Sequence, residues 1–392
     1  MTMSDADTLE QRADSNYAQW IRQVISAARS SNSAILPLFE STVQEPRQLL
    51  ASLVREAFTE PLTSRYTSAF AGGNPFVLAS LAKSYGVSPA HVMCTTGATG
   101  AMAILYRALL KRGDHVLVET PGFDLLGLLA QERGAHVGSF LRPGGNFALD
   151  VDRIAKALTP HTRLVVLTNL HNPSGLPAEH SALVALAGLA EARGFHVIVD
   201  EVYGDFATTA ERPMPACAVS PRFISVSSLT KSFGLSTLRC GWIVADPAVI
   251  TLAATLAART EFGVSNLSHA IAAIVLEQPA PFRAYSDGVL QAARPVVERH
   301  LAEWRAAELV DGVFPASGCI VFPRLVGIDD TLAFAEQLLE QTGVSVVPGE
   351  FFGAAGHIRI GYGQPAPVLE KALGRLGEAL LAARGARTPL RR

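Results

Sequence analysis

The sequence predicts an α/β protein built on a doubly wound sheet. Strand-like and helix-like stretches alternate from His91 onward, as consecutive β-α units require. The run His196-Val197-Ile198-Val199 is apolar throughout, the mark of a strand covered on both faces. The chain has 392 residues, 49% of them hydrophobic, enough to bury a large core and to divide it between two domains.

Ahead of the alternating region, helices are expected at Tyr17 to Ala28 and Gln48 to Phe58, linked by a polar loop and the apolar segment Ala34 to Leu38. The glycine pair Gly72-Gly73 leads into a helix from Phe76 to Tyr85. A strand from His91 to Thr95 then turns at Gly97 into a helix from Ala98 to Leu110, and His115 to Glu119 is the next strand. Strands at Val137 to Leu141 and Leu164 to Thr168 flank a helix near Val151 to Leu158. Glu179 to Arg193 is a helix with Gly194 as its stop, and the following strand runs into Asp200. Phe223 to Val226 and Cys240 to Val244 are further strands, and Pro247 to Ala258 and Leu267 to Glu277 are helices.

Pro279 and Pro281 mark a boundary, after which an amphipathic pattern from Tyr285 to Ala306 carries the chain away. The remainder reads as strand (Cys319 to Phe322), helix (Thr331 to Gln341), strand (Val344 to Val347), the Pro348-Gly349 loop, strand (His357 to Ile360) and a last helix (Pro367 to Ala383). That mixture suits a small α+β domain. The expected division is residues 1–45 as an N-terminal arm with part of the small domain, 46–281 as the large domain, and 282–392 as the small C-terminal domain.

Composition excludes several function classes. A formal net charge of -2 gives no electrostatic case for nucleic acid, and the basic cluster Arg384 to Arg392 reads as a solvated tail. The longest uninterrupted apolar runs, such as Ala270 to Leu276, fall far short of a membrane span. The first twenty residues are polar and acidic without an apolar core, unlike a secretory signal. Cys94, Cys217, Cys240 and Cys319 show no C-x-x-C spacing, which points to a reducing cytoplasm. No metal-ligand cluster, internal repeat or low-complexity segment is expected.

The chemistry gathers around Ser228-Leu229-Thr230-Lys231, with Arg239 eight residues beyond the lysine. A lysine among hydroxyl residues can hold an aldehyde cofactor covalently while a hydroxyl and a guanidinium bind its phosphate. Upstream lie Gly97-Ala98-Thr99-Gly100 at a helix start, where free N–H groups favour a phosphate, and Phe123 just past a strand end. Asn172-Pro173-Ser174-Gly175 is a turn by composition, and Asp200-Glu201-Val202-Tyr203 sits at a strand's carboxyl end, where ligands gather in such sheets. Arg359 stands inside the otherwise apolar strand His357 to Ile360, a setting in which an arginine needs an anion. Taken singly, Phe123 also reads as core, Tyr66 as a turn aromatic, Asp200 as a helix cap and Arg359 as one half of a structural ion pair.

In this order and spacing, from Tyr66 to Arg359, the motifs resemble the class I/II aminotransferases, fold-type-I enzymes that use pyridoxal 5′-phosphate (PLP). The resemblance implies a large domain with a mostly parallel seven-stranded sheet between helices, plus a small α+β domain. It implies that Lys231 binds PLP and shuttles a proton at the substrate α-carbon, that Asp200 pairs with the pyridine nitrogen, and that Tyr203 and Asn172 reach the phenolic oxygen. Phe123 stacks on the ring. Gly97, Ala98, Thr99, Ser228 and Arg239 hold the phosphate, Tyr66 reaches the phosphate of a second subunit in a homodimer, and Arg359 clamps the substrate α-carboxylate. The implied substrates are an amino acid and a keto acid, exchanging an amino group by ping-pong.

Two departures bear on substrate rather than cofactor. Phe39-Glu40-Ser41 stands where relatives carry a glycine after the segment matching Ile35-Leu36, and Leu170-His171 replaces the usual residues before Asn172. The stretches Cys319 to Arg324 and Val346 to Gly353 resemble specialised-metabolism members of the capreomycidine synthase type, so a lyase or cyclase is the second reading. A third, a PLP-sensing regulator, would carry an added DNA-binding domain, whereas only about 65 residues without a basic helix precede Tyr66. Tyr17, Phe39, His171 and Phe262 are candidate walls for the substrate side chain.

Overall fold

The computed structural model describes residues 16–31, 35–59, 63–69, 72–207, 212–261 and 263–385. A seven-stranded sheet runs in the order β2-β8-β7-β6-β5-β3-β4, from Val92–Thr96 (β2), His115–Thr120 (β3), His136–Leu141 (β4), Thr162–Thr168 (β5), His196–Asp200 (β6), Phe223–Ser228 (β7) and Cys240–Val244 (β8). Strands β4, β3, β5, β6 and β7 pair in parallel, while β8 lies antiparallel to both β7 and β2. Strand β2 therefore points the same way as β7, and the carboxyl ends of β2, β3, β5, β6 and β7 share one edge. The start of β8 lies on that edge too.

Helices cover both faces of the sheet. On one, α4 (Gly97–Leu109), α5 (Asp124–Glu132) and α8 (Pro247–Thr260) bury Met102, Leu105, Leu126 and Val249 against Val166, Ile198, Val226 and Ile243. On the other, α6 (Val151–Ala157) and α7 (His180–Arg193) pack Ile154, Leu183 and Leu186 on Val165, Leu167 and Val197. Local signals set the ends of these helices. Asn74 caps α3 (Pro75–Tyr85) by accepting from the N–H groups of Phe76 and Val77, and Gly86 closes it in the left-handed region.

Helix α5 is absent from the sequence expectation, which passed from Phe123 directly to the strand at Val137. It buries Leu126 and Ala130 and is the shortest way to return the chain from the end of β3 to the start of β4. Pro279 and Pro281 begin a helix, α10 (Ala280–Ala306), with proline in its first turn, where the missing N–H costs nothing. Phe282 near its start joins the cluster around Val77 and Trp242, whereas Leu290, Val297 and Trp304 join a separate core with α11 (Thr331–Thr342) and α12 (Ala366–Gly385). One helix thus spans two cores.

The expected strand Val344 to Val347 is broken in two because its halves have different partners. Val344–Ser345 (β12) pairs in parallel with Leu36–Pro37 (β1), and Val347–Pro348 (β13) pairs antiparallel with Ile358–Gly361 (β14). Strand β14 also pairs with Ile320–Val321 (β10), and a short pair joins Val310–Asp311 (β9) to Arg324–Leu325 (β11). Helix α1 (Tyr17–Ser31) reaches back to the sheet edge: the Tyr17 N–H donates to Asp124 Oδ2 at 2.8 Å. Helix α2 (Arg47–Ala57) packs Leu49, Leu50 and Leu53 against the cluster around Leu229 and Phe233.

Candidate active site

Five strand ends and the turn before β8 deliver their side chains to one edge. Asp200 closes β6, the Ser228 side chain closes β7, and Lys231 follows three residues on. The Lys231 Nζ donates to Ser41 Oγ at 2.9 Å and lies 5.6 Å from the centre of the Tyr203 ring. Burial pulls the lysine below its ordinary pKa, and Arg359 adds to the effect against opposing pulls from Tyr17 and Asp200. Asp200 is buried; burial pushes its carboxyl up to about 6, opposed by the Val202 N–H that it accepts at 3.1 Å and by Lys231. Burial also raises the Tyr203 phenol, so it stays protonated. A lysine poised toward its neutral form beside a proton-bearing phenol suits proton transfer at a carbon acid.

The amino end of α4 makes the second part. Thr96 gives it no side-chain cap, which leaves its first-turn N–H groups to another acceptor. A Cβ at Gly97 would stand 2.6 Å from Arg239 Nη2, so glycine keeps the guanidinium and the helix end together. Arg239 itself sits in the left-handed region, with φ 47°, closing the turn before β8. Ser228 Oγ accepts from Thr230 N at 3.3 Å, which orders the loop carrying Lys231. Gly97, Ala98, Thr99, Ser228 and Arg239 thus form one cationic, N–H-rich corner fit for a phosphate.

Arg359 makes the third. It is fully buried on β14, where Nη1 donates to Asn172 Oδ1 at 2.9 Å and Nη2 to Tyr17 Oη at 3.0 Å and the Phe39 carbonyl at 3.1 Å. Each of these acceptors is neutral, and Nε has no partner. The rings of Phe352 and Tyr17 lie 5.1 and 5.3 Å from the guanidinium carbon. A buried cation with an open donor fits a carboxylate ligand.

The turn before Asn172 is held by a network that the sequence did not reveal. Glu119 and Arg142, both without side-chain exposure, pair at 2.9 Å. Glu119 Oε1 accepts from Thr168 N and Oγ1, and Thr168 Oγ1 accepts from the Asn172 N–H at 2.8 Å. His171 is no pocket wall: it is fully buried, its Nε2–H donates to the Pro121 carbonyl at 2.8 Å, and Nδ1 accepts from Ser174 at 2.7 Å. Burial, with Arg142 close by, holds the imidazole neutral. It ties the loop of Phe123 to the loop of Asn172. Of the other wall candidates, Tyr17 and Phe39 surround Arg359, and Phe262 lies outside the described residues. Phe123 is half-buried, 5.7 Å edge-on from Tyr17; Tyr66 is 47% exposed beside Phe58.

Sheet and site together define the class, a PLP enzyme of fold type I. The family model for aminotransferase class I and II matches residues 55–376, and the chain belongs to that family. It is 32% identical over 316 residues to capreomycidine synthase of Streptomyces vinaceus, covering 79% of each chain. It is also 32% identical over 297 residues to an arginine–pyruvate transaminase of Pseudomonas aeruginosa, covering 74% of this chain and 75% of the relative. Aspartate aminotransferase from Thermus thermophilus with maleate superposes with a TM-score of 0.83 at 24% identity, over 97% of this chain and all of that one. The protein is an aminotransferase that uses PLP, acting on amino-acid and keto-acid substrates. Among the described residues, no helix is long and apolar enough to cross a membrane.

Proposed function

We propose that the chain moves an amino group from an amino acid to a keto acid by a ping-pong reaction on PLP carried by Lys231. The observation that carries this is Arg359, a fully buried cation whose hydrogen-bond acceptors are all neutral and whose Nε has no hydrogen-bond partner. When bound, PLP supplies an aldehyde carbon that receives the amino group and an electron-poor ring that stabilises charge on the substrate α-carbon.

The chain's residues do the rest. Arg359 binds the α-carboxylate and, with Asn172, orients the α-carbon. Lys231, whose pKa burial lowers, takes a proton from that carbon and returns it. Asp200, ionised, would pair with the ring nitrogen and keep it protonated, Asn172 and Tyr203 would donate toward the phenolic oxygen, and Phe123 would cover the ring face. Gly97, Ala98, Thr99, Ser228 and Arg239 hold the phosphate. The exposed Tyr66 belongs to the partner's site in a homodimer, and the enzyme works in the cytoplasm. The large domain is residues 46–281; residues 1–45 and 282–392 complete the small one, as the β1–β12 pairing supports.

The test is an absorbance spectrum between about 300 and 500 nm before and after separate amino acids, with product analysis of the same sample. Transamination gives a spectral change together with the matching keto acid, and Lys231→Ala abolishes both. The match to capreomycidine synthase favours a second reading, a lyase or cyclase, in which ammonia or a rearranged amino acid accumulates instead.

A further inference from the structure

We infer that Ser41 is a positioning residue for Lys231: its hydroxyl holds the free Nζ where that amine exchanges a proton with the substrate α-carbon. This rests on the reading of Lys231 as the PLP lysine. The contact is direct, since Nζ donates to Ser41 Oγ at 2.9 Å and the serine is 6% exposed. Lys231 Nζ also lies 5.6 Å from the centre of the Tyr203 ring, so Ser41 holds the amine beside the second group proposed to act at the α-carbon.

The backbone around Ser41 is fixed from two sides. On one, Thr42 Oγ1 donates to the carbonyls of Thr230 and Lys231, each at 2.9 Å, which pins the segment to the lysine's own loop. On the other, Gly361 N donates to Leu38 O at 2.7 Å. A Cβ at Gly361 would run into the Glu40 carbonyl and one at Gly363 into the Thr42 carbonyl, so β14 and the residues just after it lie against the segment 38–42. Ser41 therefore cannot drift away from Lys231 without disturbing the strand that carries Arg359.

A serine suits the task better than its alternatives. A lysine side chain carries much rotamer entropy, and a free amine at the end of four bonds samples many positions. A hydroxyl confines it and, being both donor and acceptor, serves the neutral amine without adding charge. A carboxylate at the same place would favour the ammonium and leave less of the free amine to accept a proton. Misplacing a reacting group by an ångström costs on the order of 100-fold in rate.

The experiment compares Ser41→Ala and Ser41→Thr with wild type in three readouts. The first is the rate at which cofactor-free protein captures added PLP; the second is the single-turnover rate with an amino donor; the third splits kcat from KM. Ser41→Ala is expected to capture PLP roughly tenfold more slowly and to react between about 10- and 100-fold more slowly, with KM within about twofold. Ser41→Thr, which keeps the hydroxyl, is expected to recover most of both rates. Ser41→Ala rates within about twofold of wild type, or a Ser41→Thr loss as large as alanine's in a protein with unchanged thermal unfolding, would overturn the inference. Borohydride reduction of wild type followed by peptide mass measurement tests the underlying reading separately, because PLP fixed anywhere other than Lys231 sinks that reading whatever Ser41 does.

Discussion

Arg359 Nη1 donates to Asn172 Oδ1 across 2.9 Å, and this bond joins β14 to the turn of Asn172, the two elements proposed to meet the substrate carboxylate and the cofactor ring. The same guanidinium keeps Nε free of any partner in a fully buried setting. Its donors are arranged as a planar fork, which a point charge cannot copy.

Arg359→Lys is accordingly expected to lower kcat/KM for the amino donor by about 100-fold, chiefly through KM, because the charge survives while the bidentate geometry is lost. Steady-state rates against donor concentration check it. A change under about threefold would remove Arg359 from substrate binding.

Asp200 makes a pH-dependent prediction. Burial raises its folded pKa to about 6, above that of the unfolded chain, so its contribution to stability is full at low pH and is lost as pH rises through about 6. In cofactor-free protein, the stability of Asp200→Asn relative to wild type should therefore grow by about 3 kcal/mol between about pH 4 and pH 7. Urea unfolding at several pH values measures the gap. A gap that stays constant would mean that Asp200 titrates in the ordinary carboxylate range.

The pair Glu119–Arg142 is buried and makes its hydrogen bonds to the loop of Asn172. Glu119→Gln leaves a buried guanidinium without its counter-charge and is expected to cost about 3 to 5 kcal/mol. Replacing both residues by methionine should recover much of that loss, since no charge is then stranded. Equal destabilisation by the single and double changes would show that the hydrogen bonds to Thr168, rather than the charge pair, carry the effect.

Two glycines test the corner at the amino end of α4. Gly97→Ala would place a Cβ 2.6 Å from Arg239 Nη2, which can swing aside, and would hold alanine at φ 75°, so PLP should bind about tenfold more weakly with a loss of about 1 to 2 kcal/mol of fold stability. Gly241→Ala instead meets the backbone of Gly97, which cannot yield, and is expected to destabilise the fold by about 1 to 3 kcal/mol. Equilibrium binding of PLP and urea unfolding distinguish the two.

Much of the sheet edge was legible because its grammar is local. Asp200 ends an apolar run, Gly97 begins a helix after a strand, and Lys231 follows the last residues of β7, so each position is set by its neighbours in sequence. What the sequence withheld depends on distant partners. Phe39-Glu40-Ser41 read only as a departure from a pattern, since nothing nearby says that Ser41 meets Lys231 or that the Phe39 carbonyl meets Arg359. His171 read as a turn or pocket-wall residue because the acceptor that buries it, the Pro121 carbonyl, comes from a loop 50 positions away. Val344 to Val347 read as one strand because the split lies in the choice of partner, β1 or β14, and leaves no mark on composition.

The bond between Arg359 and Tyr17 spans 342 positions of the chain. A nascent polypeptide leaving the ribosome therefore carries Tyr17 and Ser41 for most of its synthesis without the strand that orders them. Closing so long a loop comes late in folding, because its entropy is lost before its contacts are gained. The corner drawn from residues 97 to 239, proposed to hold the phosphate, can form earlier than the contacts of Arg359. Newly made chains should thus be able to retain their cofactor before they are able to choose a substrate.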